Sequence, residues 1–235
     1  MYRSMNIKLL TLTVSALALS TSVNAAILSY GGYTHDTTTD IVTGNDLEWL
    51  QWDRTLGYSI NSIQLQLNTI EGGGWSIATN VQMAQLFNAF DFGITYVADE
   101  NAMQSTGTGY TYPDTLNETD ELFIAMFGDT DSAAGYSSCF DTHCFQRSYA
   151  LFGTDLDNDT LVNYAVVFDD YQNSDGSTVS GKATIGPDAY IDTDAYPQIG
   201  VALVRDVSPV HVPAADWLFG SGLLGLIGVT SRKKS

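Results

Sequence analysis

The sequence predicts a single α+β domain with antiparallel strand pairing. Helix patterns gather in the first half of the 235-residue chain and strand patterns in the second half, as expected for an α+β fold. This length suits one domain with short appendages at its ends. Hydrophobic residues form 44% of the chain, which is enough to fill a core and excludes a disordered acidic segment.

Three helices are predicted. Ser59 caps the first, whose apolar residues Ile60, Ile63, Leu67 and Ile70 recur at helical spacing before the glycines at 72–74. The second opens with Thr79-Asn80-Val81-Gln82, which has the form of a capping box, and its buried face comprises Met83, Leu86, Phe87 and Phe90. The third covers residues 118–127 and ends at Gly128.

The predicted strands are short apolar segments bounded by turn-forming residues. They span residues 27–33, 47–52, 75–78, 149–153, 161–168, 181–185 and 199–205. Loops rich in Asp, Asn and Gly separate the later strands. We therefore expect strands and helices without an internal repeat.

The predicted domain is strongly acidic. Between residues 26 and 209 the chain carries 26 acidic and four basic residues, a net charge of −22. Such a surface repels the phosphate backbone of DNA and RNA, so nucleic acid is excluded as a partner. Unaided adsorption to anionic lipid is disfavoured for the same reason.

Residues 1–25 are predicted to be a secretory signal peptide. Arg3 and Lys8 precede a short apolar stretch, and the small-residue sequence Val23-Asn24-Ala25 follows it. An N-terminal anchor is the alternative, but this stretch is too short to span a bilayer. The mature chain, with its domain at 26–209, is expected to begin at Ala26 and to be secreted across the inner membrane.

Residues 210–235 combine a short motif, an apolar helix and a basic cluster. The motif is Val210, His211, Val212, Pro213 and Ala214. The apolar residues of the predicted membrane helix are Trp217, Leu218, Phe219, Gly220, Leu223, Leu224, Leu226, Ile227 and Val229. The basic cluster is Arg232, Lys233 and Lys234. The hydrophobic stretch approaches the roughly 20 residues that a bilayer requires, and the cations favour the cytoplasmic side, which leaves the domain on the opposite side.

This order of motif, helix and basic cluster resembles the VPLPA-type variant of the PEP-CTERM sorting signal. The resemblance implies recognition and cleavage by an exosortase, then delivery to the cell surface or an exopolysaccharide matrix. His211 stands where the family usually has its first proline, and Val212 where it has leucine. Simple anchoring by an uncleaved helix is therefore the alternative to sorting.

Three segments of the domain carry a second resemblance. They are Leu47-Glu48-Trp49-Leu50, Gly74-Trp75-Ser76-Ile77-Ala78-Thr79 and Val201-Ala202-Leu203-Val204-Arg205. This layout is common among PEP-CTERM proteins and is similar to the C-type-lectin-like domains of some bacterial adhesins. The resemblance implies a curled antiparallel sheet with two or three helices; a β-sandwich with helical insertions is the alternative. It carries over no sugar site, because the Glu-Pro-Asn and Trp-Asn-Asp triplets of calcium-dependent lectins are absent.

Cys139 and Cys144 are the only cysteines, and in an oxidising compartment they are predicted to form a disulfide. The closed loop would contribute on the order of 2 kcal/mol on the chain-entropy interpretation. Metal binding by these cysteines and His143 is the alternative, but zinc requires a further ligand that the surrounding sequence lacks. The spacing also differs from the Cys-x-x-Cys pattern of redox sites, so a structural bond is favoured.

The alternating carboxylates of Asp155, Asp157 and Asp159 form the candidate metal site, since oxygen ligands converging from one loop suit Ca²⁺. The EF-hand pattern is not met, because Thr160 and Val166 occupy its glycine and glutamate positions. A solvated acidic turn is the alternative. A second, weaker cluster comprises Asp188, Asp192 and Asp194.

Aromatic residues beside carboxylates suit sugar rings and their hydroxyls. Trp49 and Trp75 are predicted to be buried in strands, whereas the better surface candidates are the loop tyrosines Tyr110, Tyr112, Tyr136 and Tyr171. No nucleophile motif or phosphate-binding glycine loop is present, which favours a non-catalytic protein. The expected function is a binding or structural component associated with exopolysaccharide; a surface-attached glycan-processing enzyme is the alternative.

Overall fold

The computed structural model describes residues 26–106, 119–133, 139–140, 143–144, 146–153, 160–169, 171–172, 178–179 and 181–207. Within these ranges the chain forms two main open sheets and a few helices, which confirms the predicted α+β class. The pairing is antiparallel apart from one short parallel pair.

The strands are β1 Ile27–Tyr30, β2 Tyr33–Asp36, β3 Ile41–Gly44, β4 Leu47–Leu50, β5 Ser76–Ile77, β6 Gln104–Ser105, β7 Cys139–Phe140, β8 His143–Cys144, β9 Gln146–Phe152, β10 Leu161–Asp169, β11 Tyr171–Gln172, β12 Thr178–Val179, β13 Lys182–Ile191, β14 Gly200–Val201 and β15 Leu203–Asp206. The helices are α1 Ile60–Gln64, α2 Asn80–Phe90, α3 Thr119–Phe127 and α4 Thr130–Ala133, with 3₁₀ turns at Trp52–Thr55 and Ile70–Gly72.

The first sheet has the order β1-β2-β3-β4-β15-β5. Its first four strands are an antiparallel meander whose outer hairpins close through two-residue turns. Gly31 and Gly32 have φ values of 58° and 83°, and Asn45 and Asp46 have 52° and 60°. Two-residue turns with positive φ at both positions match the twist of the strands they join. Gly, Asn and Asp adopt positive φ most readily, which explains Gly-Gly and Asn-Asp at these turns. The predicted single strand at 27–33 is therefore wrong, because the glycines divide it into β1 and β2.

The second sheet has the order β14-β9-β10-β13-β6. The long strands β9, β10 and β13 pair antiparallel, and β14 adds parallel to β9. The chain then passes directly into β15 of the first sheet. Ala202 connects the two, since its N–H donates to Leu151 and its carbonyl accepts from Ala78. One extended segment therefore joins both sheets.

The capping box predicted for α2 is confirmed. The Thr79 side chain accepts from the Gln82 N–H, and the Gln82 side chain accepts from the Thr79 N–H. The third predicted helix is confirmed as α3, after which Gly128 has φ +92°. The first is shorter than predicted, because α1 ends after one turn and leaves Leu65 83% exposed.

Two hydrophobic clusters lie on opposite faces of β9 and β10. The larger is packed by aromatic rings from the first sheet, the 3₁₀ turn after it, α2 and α3, including Trp49, Trp52, Phe87, Phe90, Phe123 and Phe127. The smaller joins β4, α1 and β14 through residues including Leu50, Ile60, Ile63, Leu151 and Val201. Helices α2 and α3 thus cover one face of the second sheet, and among the described residues the other face is only partly covered, by α1 and strands of the first sheet.

Candidate functional site

Four tyrosines form a continuous group of rings on the partly covered face of the second sheet. We call Tyr149, Tyr164, Tyr190 and Tyr196 the tyrosine cluster. The ring centroids of Tyr149 and Tyr164 are 5.6 Å apart, and the Tyr190 ring lies 6.1 Å and 5.8 Å from these two. Tyr196 extends the group, 5.2 Å from Tyr190. Tyr149 is buried, and the other three are half-buried.

Strand geometry brings these rings together. Side chains alternate along a strand, so Tyr149 of β9 and Tyr164 of β10 project from the same face of paired strands. Gly186 of β13 lies opposite Tyr164, and a Cβ atom there would overlap the Tyr164 ring. Because Gly186 has no side chain, the Tyr164 ring can lie across β13 at this position.

Arg147 and Phe168 border the tyrosine cluster. The Arg147 guanidinium carbon lies 5.2 Å from the centre of the Tyr149 ring and 5.9 Å from that of Phe168. The same guanidinium forms an ion pair of 2.8 Å with Asp131 and donates to the Gln198 side-chain oxygen at 2.8 Å. Its charge is thus paired within the protein, and its Nε and Nη2 donors are engaged.

Three phenol groups of the tyrosine cluster have a raised pKa, which keeps them protonated at neutral pH. Burial raises the pKa of Tyr149, and its hydrogen bond with the Tyr190 hydroxyl acts in the same direction. Burial also raises the pKa of Tyr164. Tyr196 donates its hydroxyl to Asp194 Oδ2 at 3.0 Å, and this bond raises its pKa. The cluster therefore presents neutral rings and hydroxyl groups.

Such a surface combines ring faces with hydroxyl, amide and carboxylate groups at its border. Aromatic faces pack on the CH faces of sugar rings, and polar groups placed around them pair with sugar hydroxyls. The tyrosine cluster is the arrangement that sequence reasoning missed. The sequence indicates which side chains alternate along one strand. It does not give the register that aligns β9, β10 and β13 and so brings their tyrosines together.

The aromatic residues singled out from the sequence have different positions. Trp49 and Trp75 are buried, as predicted, with exposures of 0% and 4%. Tyr110, Tyr112 and Tyr136 lie outside the described residues, and Tyr171 is described only through its backbone in β11.

The three segments that carry the second family resemblance lie side by side, as β4, β15 and β5. Arg205 joins them, because its Nε donates to Glu48 Oε2 at 2.6 Å and its guanidinium lies 4.2 Å from the centre of the Trp75 ring. Its Nη1 also donates to the carbonyls of Glu71 and Gly73. These contacts hold the glycine turn before β5 and give Glu48 a structural partner.

The backbone places the two cysteines opposite each other. Cys139 of β7 and Cys144 of β8 are direct Cα partners in a two-stranded antiparallel hairpin. Such partners have Cα atoms about 4.5 to 5.5 Å apart, within the range that a disulfide spans. The predicted bond is therefore compatible with the hairpin register.

The calcium prediction at Asp155, Asp157 and Asp159 lies outside the described residues. The residue that follows them, Thr160, accepts a hydrogen bond of 3.0 Å at its carbonyl from the Asp192 N–H. Asp192, of the second acidic segment, is thus joined to Thr160 through the backbone. Within the described ranges, no group of three or more His, Cys, Asp and Glu residues is arranged to hold a metal ion.

The predicted signal peptide and C-terminal motif, membrane helix and basic cluster also lie outside the described residues. Within residues 26–207, the described helices include none with the length and apolar character needed to cross a membrane. Comparison with family models, curated proteins and solved structures finds no match to this chain.

Proposed function

We propose that this protein is an exported surface or extracellular-matrix component whose acidic domain binds exopolysaccharide without chemical turnover. The observation that carries the binding part is the tyrosine cluster with its border of polar side chains. Four rings within about 6 Å of their neighbours form a surface of the kind that packs against sugar rings. Weak contacts of this kind gain strength when many copies bind one polymer.

The proposed export and sorting rest on the two termini of the sequence. The signal peptide at 1–25 directs the chain across the inner membrane, and the region 210–235 resembles an exosortase sorting signal. The partners are an exosortase, the membrane before processing, and a glycan of the surface or matrix afterwards. If His211 prevents cleavage, the same helix anchors the domain permanently at the membrane.

We propose a divergent C-type-lectin-like arrangement as the finer description of the fold. Support comes from the first sheet, where strands from the beginning and the end of the domain pair through β4 and β15. The adjacent positions of the three resembling segments, joined by Arg205, support the same assignment.

A non-catalytic role is favoured over a glycan-processing enzyme. A glycosidase requires two carboxyl groups on either side of the scissile bond. Glu48 of β4 is held by Arg205, and Asp131 beside the tyrosine cluster is held by Arg147. Both carboxylates therefore have structural partners.

Incubating the purified full chain with exopolysaccharide from the source organism separates the two functions. We expect the protein to be retained by the polymer while the number of reducing ends stays constant. New reducing ends would support the enzyme instead. Absence of both retention and new ends would contradict binding and turnover together and leave a purely structural coat component.

The sorting proposal is tested by the intact mass of the protein isolated from cells and from the matrix. We expect a mature form that begins at Ala26 and lacks residues 217–229. A surface form that still contains these residues would contradict sorting cleavage and support simple anchoring.

A further inference from the structure

We propose that the tyrosine cluster binds an uncharged polysaccharide rather than an acidic one. The proposal rests on the proposed glycan-binding function and assigns its ligand class. It depends on two features of the described residues. The first is the set of protein groups that already contact the cations, and the second is the set of groups in the tyrosine cluster that can contact a ligand.

Among the described residues, Arg147 is the cation placed at the cluster, and its Nε and Nη2 atoms are both held by protein acceptors. Asp131 Oδ1 accepts from Nε and forms an ion pair with Nη2, and Gln198 also accepts from Nη2. The Tyr149 and Phe168 rings lie near the guanidinium. The side chains of Arg147 and Asp131 are 19% and 16% exposed, so the pair is largely shielded from water. A ligand carboxylate that replaced Asp131 on Nε and Nη2 would leave the Asp131 carboxylate without its cation, which is costly.

The other arginines of the domain are engaged in the same way. Arg54 pairs with Asp40 and Glu71 at 3.2 Å each, and Arg205 pairs with Glu48. Lys182, the single lysine between residues 26 and 209, also has an interaction partner. An acidic polymer would therefore meet a surface of net charge −22 without a free arginine in the described ranges.

The groups that remain at the cluster are neutral or acceptor groups. Tyr164 and Tyr190 contribute half-buried rings with hydroxyl groups, and Tyr196 adds a ring whose hydroxyl is held by Asp194. The Asp194 carboxylate accepts hydrogen bonds, and sugar hydroxyls donate them. This combination favours CH–ring contact and hydroxyl pairing, both of which an uncharged chain provides at every residue.

Isothermal titration of the purified full chain tests the assignment. The probes are three soluble neutral polysaccharides (a β-glucan, a mannan and a galactan) and two acidic ones (polygalacturonate and alginate). We expect binding to at least one neutral probe at least about tenfold tighter than to either acidic probe. We also expect this affinity to stay constant between low and high salt and in the presence of EDTA, because no ion pair or metal bridge forms.

Two substitutions locate the site. Tyr196→Ala removes a ring at the edge of the cluster, and we expect it to weaken binding of the neutral probe about tenfold, as loss of an aromatic anchor does. Tyr30→Ala is the matched control: Tyr30 is half-buried in β1 and contacts Phe90, away from the second sheet. We expect its affinity to equal that of the unaltered chain.

The outcomes distinguish this inference from the proposed function. Equal or tighter binding of an acidic probe overturns the ligand class while leaving glycan binding intact. Tight neutral binding that Tyr196→Ala and Tyr30→Ala affect equally overturns the site. Absence of binding to all five probes and to the source exopolysaccharide overturns both proposals.

Discussion

Asp53 shows how a single carboxyl can oppose the stability of the fold. It is half-buried beside Gly128, and its Oδ1 is buried without a hydrogen-bond partner among the described residues. Burial raises its pKa, the neighbouring carboxylates Asp40 and Asp129 act in the same direction, and Arg54 only partly offsets them. Gly128 has φ +92°, and a Cβ there would approach the carboxyl to within 2.6 Å. The close packing at this residue therefore excludes much of the water that would solvate the charge.

We expect Asp53→Asn to raise the melting temperature at neutral pH. The folded pKa lies above the unfolded value of about 3.9, so ionisation of this carboxyl costs stability as pH rises through the folded pKa. Below the unfolded pKa the carboxyl is protonated in both states, and the difference between the two proteins should vanish. Thermal unfolding measured across pH checks both parts of this expectation.

Asp206→Asn is the control for the change in net charge, because Asp206 is exposed at the end of β15. It removes the same charge from a solvated position. An equal gain in melting temperature for both variants would show that relief of overall repulsion, rather than burial of Asp53, is responsible.

At the scale of elements, α2 connects the local sequence with the core. Its capping box fixes the start of the helix, and its inward face brings Phe87 and Phe90 into the larger cluster. Both rings pack on Phe123 of α3, with centroid distances of 5.5 Å and 4.9 Å. The cap therefore sets the register of a helix on which aromatic packing depends.

We expect Thr79→Ala to destabilise the domain by about 1 kcal/mol, because the alanine leaves the Gln82 N–H without its side-chain acceptor. For a protein of this size this corresponds to a fall of about 2 to 4 °C in melting temperature. Thr79→Ser keeps the hydroxyl and should stay close to the unaltered value. A fall of the same size in the serine variant would contradict the capping explanation.

The β7–β8 hairpin provides a second prediction at this scale. We expect secreted protein to show no reactive thiol before reduction, because direct strand partners at 139 and 144 suit a disulfide. Replacing both cysteines with serine should cost on the order of 2 kcal/mol. Thiol labelling with and without reductant checks the bond, and two reactive thiols in protein isolated from the medium would exclude it.

For the whole molecule, charge is the dominant property. A net charge of −22 between residues 26 and 209 makes the folded domain repel itself, and divalent cations relieve such repulsion even without a specific site. We therefore expect divalent cations to stabilise the domain to some extent whether or not a specific site exists.

We expect Ca²⁺ to raise the melting temperature and EDTA to lower it if Asp155, Asp157 and Asp159 form the predicted site, because a ligand that binds the folded state stabilises it. Titration calorimetry gives the stoichiometry. Replacing Asp157 with Asn should abolish the shift, whereas Asp99→Asn, an exposed carboxylate in another loop, should preserve it. An equal response to Mg²⁺ and Ca²⁺ in all three proteins would identify general screening and contradict a specific site.

Local patterns predicted the elements that depend on neighbouring residues. The Thr79 and Gln82 cap was predictable because its partners lie within one helical turn. The predicted burial of Trp49 and Trp75 is confirmed, although Trp75 directly precedes β5 instead of lying in it. The helix from Ser59 was predicted too long, because the apolar residues Leu67 and Ile70 pack on the core from a turn and a 3₁₀ segment rather than from a helix.

The sequence by itself determined the acidity of the domain and its α+β class, because composition and local spacing are properties of the chain. Only the tertiary structure decided the tyrosine cluster and the partners of Arg147 and Arg205. These depend on strand register, which brings Tyr149, Tyr164 and Tyr190 together from distant parts of the chain. Pairing energies are shared across whole strands, so no single stretch of sequence contains that information.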